Sequence, residues 1–188
     1  MSIRLFLNVL VAAALIPMAA QADVTYNVNR SIGAGSVIGT ITINNDSTAT
    51  LVTAEITAYA LTLNDGATSV SFTELNSDVE VFGGALTADA DSIDFDFSGT
   101  ASSYLFIQSP AFGSPGNFWC VETIGCSKNM LPASETVATS PLNGAETTTR
   151  SGLVPIATVT TNNVPEPATL TLTGLALLGL AAARRRRV

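Results

Sequence analysis

Glu55, Glu74, Glu80 and Glu122 are the residues of this chain best suited to acid–base chemistry. Two carboxylates flanking a glycosidic bond can hydrolyse it, one as general acid and the other as base or nucleophile. Few other reactions are open, because the 188 residues include no histidine. That removes Ser-His-Asp and Cys-His centres and any H-E-x-x-H zinc site. Lys128 is the one lysine and lies next to the two cysteines, a poor setting for a Ser-Lys pair. Acidic residues on alternating strands are ordinarily a solvated face. The chain therefore reads as a protein that is not an enzyme.

Three further groups could bind rather than react. Asp89-Ala-Asp91-Ser-Ile-Asp94-Phe-Asp96 offers oxygen ligands for calcium, with Asp89 and Asp91 as the metal candidates. It fails as an EF-hand loop, since Ile93 stands at a ligand position and the glycine of the sharp turn is missing. Cys120 and Cys126 lack C-x-x-C spacing and have no activating base, so they read as a disulfide. A bridge closing so short a loop contributes roughly 2 kcal/mol. Trp119 and Phe118, in the run from Phe112 to Cys120, could stack on sugar rings. The competing reading packs the lone tryptophan on the cystine in the core.

The elements that would carry these residues are strands. Ser92–Ser98 alternates, with Ile93, Phe95 and Phe97 inward and Asp94 and Asp96 in water. Val37–Asn44, Ser69–Thr73 and Asp78–Phe82 share the period of two, and Tyr104–Ile107 is apolar in both phases. Asn45-Asp46-Ser47, Asn64-Asp65-Gly66, Gly83-Gly84 and Ser114-Pro115-Gly116 supply turns. Val52, Ala54, Ile56 and Ala58 share one face while Tyr59, Leu61 and Leu63 take the other. That phase change predicts a β-bulge or a strand covered on both faces. Pro132–Gly152 loses the apolar pattern and reads as a long loop before a last strand near Leu153–Thr160. The fold class expected is all-β, an antiparallel two-sheet sandwich or jelly roll.

Two targeting segments flank this domain. Arg4, the apolar stretch Leu5–Ile16, Pro17 and Ala20-Gln21-Ala22 have the parts of a signal helix with an A-x-A site. Signal peptidase would cut after Ala22, leaving Asp23 first. At the other end stand Val164-Pro165-Glu166-Pro167, an uncharged run from Ala168 to Ala183, and Arg184-Arg185-Arg186-Arg187. The prolines hold Glu166 in an extended backbone ready for recognition. As a helix the apolar run reaches roughly 24 Å against a hydrocarbon core of roughly 30 Å, a marginal single span. The four arginines act as a membrane stop and set the C-terminus in the cytoplasm by the positive-inside rule. The divisions are 1–22 signal peptide, 23–161 β-domain, 162–167 linker, and 168–188 hydrophobic helix with its arginine tail.

Val164–Val188 resembles the PEP-CTERM sorting signal of Gram-negative bacteria. The resemblance implies cleavage near Pro-Glu-Pro by an exosortase-type membrane enzyme, with transient residence in the inner membrane. It also implies a final place at the cell surface or in the extracellular matrix of bacteria that make exopolysaccharide and biofilm. The logic parallels a GPI signal, whose hydrophobic tail is removed.

Charge narrows the partners. Only Glu166 of the 15 acidic residues lies in the flanks, and only Arg30, Lys128 and Arg150 of the 8 basic residues lie outside them, so the domain carries near −11. Such a surface repels nucleic acid. Calcium is the one cofactor considered. The function expected is a non-catalytic exported surface or matrix protein. The alternative is a secreted carbohydrate-binding or carbohydrate-active module touching matrix polysaccharide through Trp119 and Phe118. An exposed Trp119 favours the second and a buried one the first.

Overall fold

The computed structural model describes residues 23–44, 49–110, 115–124, 132–140 and 144–159. The expected signal helix, the Pro-Glu-Pro linker and the hydrophobic helix fall outside the described residues. Short runs of β-branched and aromatic residues alternating with Ser, Thr and Asn form antiparallel strands, because each face then meets one environment. β1 (Val24–Ile32), β2 (Gly35–Ile43), β4 (Ile56–Asn64) and β5 (Ser69–Thr73) follow one another by hairpins and a short excursion. β3 (Ala49–Thr50), β7 (Leu86–Ala88), β8 (Ser92–Asp96) and β13 (Leu153–Val159) complete an eight-stranded sheet in the order β3-β7-β8-β13-β1-β2-β4-β5. β6 (Asp78–Phe82), β9 (Tyr104–Ser109), β10 (Asn117–Glu122), β11 (Ser134–Ala138) and β12 (Glu146–Thr149) form a five-stranded sheet in the order β12-β11-β10-β9-β6.

Both sheets feed one core. Tyr26, Ile41, Leu61, Phe72 and Phe95 come from the larger sheet and Leu105, Ile107, Trp119, Val121 and Val137 from the smaller. Burying each such side chain contributes about 1.5–3 kcal/mol. Ile93, Phe95 and Phe97 face inward as the alternation predicts, while Asp94 and Asp96 keep partial access to solvent. β9 is internal, between β10 and β6.

Two expectations need correction. Val52 and Ala54 do not extend the strand: Thr53–Glu55 is a single 3-10 turn, and both residues are exposed. The Glu55 carboxylate accepts the Val52 N–H at 2.8 Å and favours the turn over a strand. The phase change is nonetheless a bulge, since Thr42 pairs with Ala58 and Ile43 with Ile56, leaving Thr57 unopposed. Pro132–Gly152 is not a long loop, because it contains β11 and β12. β11 is buried at all five residues yet reads Ser-Glu-Thr-Val-Ala. A strand whose interior polar group is an ion-paired glutamate gives no alternating apolar signal.

Charge is distributed unevenly. β1, β2, β4 and β5 hold a single charged residue, Arg30, and it turns inward. The carboxylates of Asp94, Asp96, Asp78 and Glu80 lie on β8 and β6.

Candidate functional site

Glu135, the second residue of β11, is a fully buried charged side chain. Arg30 on β1 donates Nε to Oε1 at 3.0 Å and Nη2 to Oε2 at 2.8 Å. Arg150, just after β12, donates Nε to Oε2 at 3.1 Å. The Trp119 indole N–H reaches Oε1 at 3.2 Å. The outer guanidinium nitrogens also bind backbone, Arg30 Nη1 to Pro155 O at 2.8 Å and Arg150 Nη2 to Ser31 O at 2.7 Å. The cluster therefore joins β1 and β13 of one sheet to β10 and β11 of the other. Both Glu135 oxygens are engaged by side chains of the fold. Its sequence signal was scarcity: two arginines among three bases in a strongly acidic domain must have partners.

Trp119 itself is fully buried. Of the two readings of Trp119, burial favours the core one, since a ring enclosed on both faces presents neither to a sugar. Phe118 behaves differently. It is partly exposed on the outer face of the smaller sheet and stacks on Phe106, with centroids 5.4 Å apart and planes 15° apart. Phe82 and Tyr104 stack on the same face at 5.4 Å and 20°.

Two of the four candidate glutamates share this outer face. Glu122 stands opposite Tyr104, and Glu80 opposite Phe106. Partial burial pushes the Glu122 carboxyl up to about 7. The Tyr104 phenol is raised as well, by burial, by its hydrogen bond to Glu80, and by the charges of Glu80 and Glu122. Glu55 caps its 3-10 turn and Glu74 lies exposed in the turn after β5, so neither joins them.

Asp89 spends its carboxylate on the chain. Oδ1 accepts the N–H groups of Asp91 and Ser92, each at 2.8 Å, closing the turn into β8. These bonds, Asp91 first, hold its pKa below the usual carboxylate value. Among the described residues no three carboxylate or thiol groups converge to hold a metal. Cys120 is buried on the outer side of β10, and its expected partner Cys126 lies outside the described residues. A cleft of about 230 Å3 opens where β1 and β13 diverge beyond Asn27–Thr158, lined by Asn29, Arg30, Pro155 and Ile156 among others. It contains no carboxylate.

Of the predicted targeting residues, Asp23 is described: it is exposed and immediately precedes β1. Ala20, Ala22, Val164–Pro167 and Arg184–Arg187 fall outside the described residues, and among those described no helix is long and apolar enough to cross a membrane. The decisive observation comes from comparison with known families. Residues 163–187 match the family model of the PEP-CTERM protein-sorting motif. This chain carries a PEP-CTERM sorting signal. The PEP-CTERM signal marks the chain for export and for processing by an exosortase-type enzyme. No curated protein and no solved structure matches the chain.

Proposed function

We propose that this chain is a non-catalytic surface or matrix protein whose β-domain, read as an open two-sheet sandwich, is delivered by its PEP-CTERM signal. The match over residues 163–187 carries the reading. A Trp119 turned into the core and a Glu135 fully occupied by Arg30, Arg150 and Trp119 support it, since neither is available to a ligand. In this reading signal peptidase cuts after Ala22. The exosortase then cuts near Pro165-Glu166-Pro167, while the 168–183 span holds the precursor in the inner membrane with Arg184–Arg187 in the cytoplasm. The mature protein ends in an exopolysaccharide-rich matrix, with Cys120 and Cys126 bridged. Intact mass of the exported protein tests this directly. A mass starting at Asp23 and ending near Pro167 supports it, and a surface form still carrying Arg184–Arg187 overturns it.

A second reading, a carbohydrate-binding or carbohydrate-active module, is favoured by one specific observation. The Phe82–Tyr104 and Phe106–Phe118 stacks lie beside Glu80 and Glu122 on one outer face. Phe82→Ala and Phe118→Ala should weaken retention on matrix polysaccharide if that face is the contact. Unchanged retention removes it. Calcium enters only as a counter-ion for the acidic strands, and equal sedimentation with calcium and with chelator would dismiss it.

A further inference from the structure

An antiparallel sheet that ends in open strands offers each edge to any chain able to continue the hydrogen bonding. Among the described residues, three of the four edge strands are short or have edge groups that are charged or already engaged. β3 comprises two described residues. β6 carries Asp78 and Glu80, and its Val81 N–H is taken by the Thr53 hydroxyl at 2.8 Å. β12 begins with Glu146, whose carboxylate is bound by the Ala34 N–H at 2.9 Å. β5 has neither charge nor proline, and pairs with β4 along its whole length.

On β5, Asn76 occupies the open side. Its Oδ1 accepts the Thr73 N–H at 2.8 Å and its Nδ2 donates to Ser71 O at 3.0 Å. Those are the two bonds a neighbouring strand would make, one received and one given, and a single amide supplies both. The Asn76 and Ser77 N–H groups take up Thr73 O, each at 3.1 Å. The part of the edge toward Ser69 has no such cover from a side chain of the following turn.

We propose that Asn76 is an edge plug, and that the strand it excludes is β5 of a second copy of this chain. A copy is the partner that fits because the domain is near −11 overall, so two copies repel wherever their carboxylates meet. Within β5 and its neighbours β4, β2 and β1 no charged side chain points outward; the charge following β5 is Glu74, in the turn beyond its end. An isologous pairing across β5 would join two eight-stranded sheets without opposing like charges.

Sedimentation of the exported protein recovered without detergent tests this. The native protein should be monomeric, Asn76→Ala should shift to a dimer or larger species at the same concentration, and adding Ser71→Pro to Asn76→Ala should restore the monomer. Proline removes an outward N–H and leaves the pairing with β4 intact. An Asn76→Ala protein that stays monomeric, or a double variant that still associates, overturns the proposal. Hydrogen exchange of the native protein gives an independent reading. The Thr73 amide should be protected and the Ser71 amide fast, and equal fast exchange at both would show that no plug exists.

Discussion

Replacing Glu135 with alanine leaves Arg30 and Arg150 converging on a site with no counter-charge. Forming a buried ion cluster gains little over apolar packing, but removing one member is costly. Glu135→Ala should therefore lose about 3–5 kcal/mol in denaturant unfolding, the range for a broken buried pair. A loss under about 1 kcal/mol would mean that water reaches both guanidinium groups, as at a surface pair. Glu122 makes a different demand. Burial favours its neutral form in the folded state, so the folded protein keeps a proton that the unfolded chain releases at an ordinary carboxylate pKa. Its contribution to stability is full below that ordinary pKa and is lost as pH rises to about 7. Unfolding midpoints across this window should fall, and Glu122→Gln should flatten the slope. An unchanged slope in the variant assigns the effect to other groups.

At the scale of elements, the β1–β2–β4 ladder depends on one glycine. Gly39 pairs with Val28 on one side and Leu61 on the other, and its φ of 147° is one that other residues rarely adopt. A Cβ there would lie 2.0 Å from the Ala60 carbonyl oxygen. Gly39→Ala should destabilise by more than about 1 kcal/mol, since strain and clash act together. A neutral result would mean that β2 can slide away from β4. The proposed Cys120–Cys126 bridge across the β10–β11 connection predicts that thiol titration of the denatured, unreduced protein finds none. Two titratable thiols would remove the staple.

For the whole molecule, route and fold occupy separate segments. The domain shares one core between two sheets and is tied across them by Arg30, Arg150 and Glu135. The PEP-CTERM match begins beyond the last described strand. Glu166→Ala should therefore leave the domain's unfolding midpoint unchanged while precursor accumulates in the inner membrane. A shifted midpoint, or normal release, would count against that separation.

Sequence alone determined what depends on local order. The PEP-CTERM tail is read by its linear arrangement, and the all-β class follows from a period of two in segments such as Ser92–Asp96, which survives because each side chain meets one environment. β11 and β12 were hidden, since Ser-Glu-Thr-Val-Ala has no apolar period until Arg30 arrives from 105 residues away to pair with Glu135. Likewise, the choice between a Trp119 on the surface and one in the core rested on whether β9 and β11 flank β10 and the larger sheet covers its inner face. Asn76 as a substitute strand needed the turn after β5 to fold back on itself. Such contacts join residues whose types are unremarkable in isolation. Their energies arise only when backbone pairing brings the groups within hydrogen-bonding distance and excludes water, and only the tertiary structure decides that.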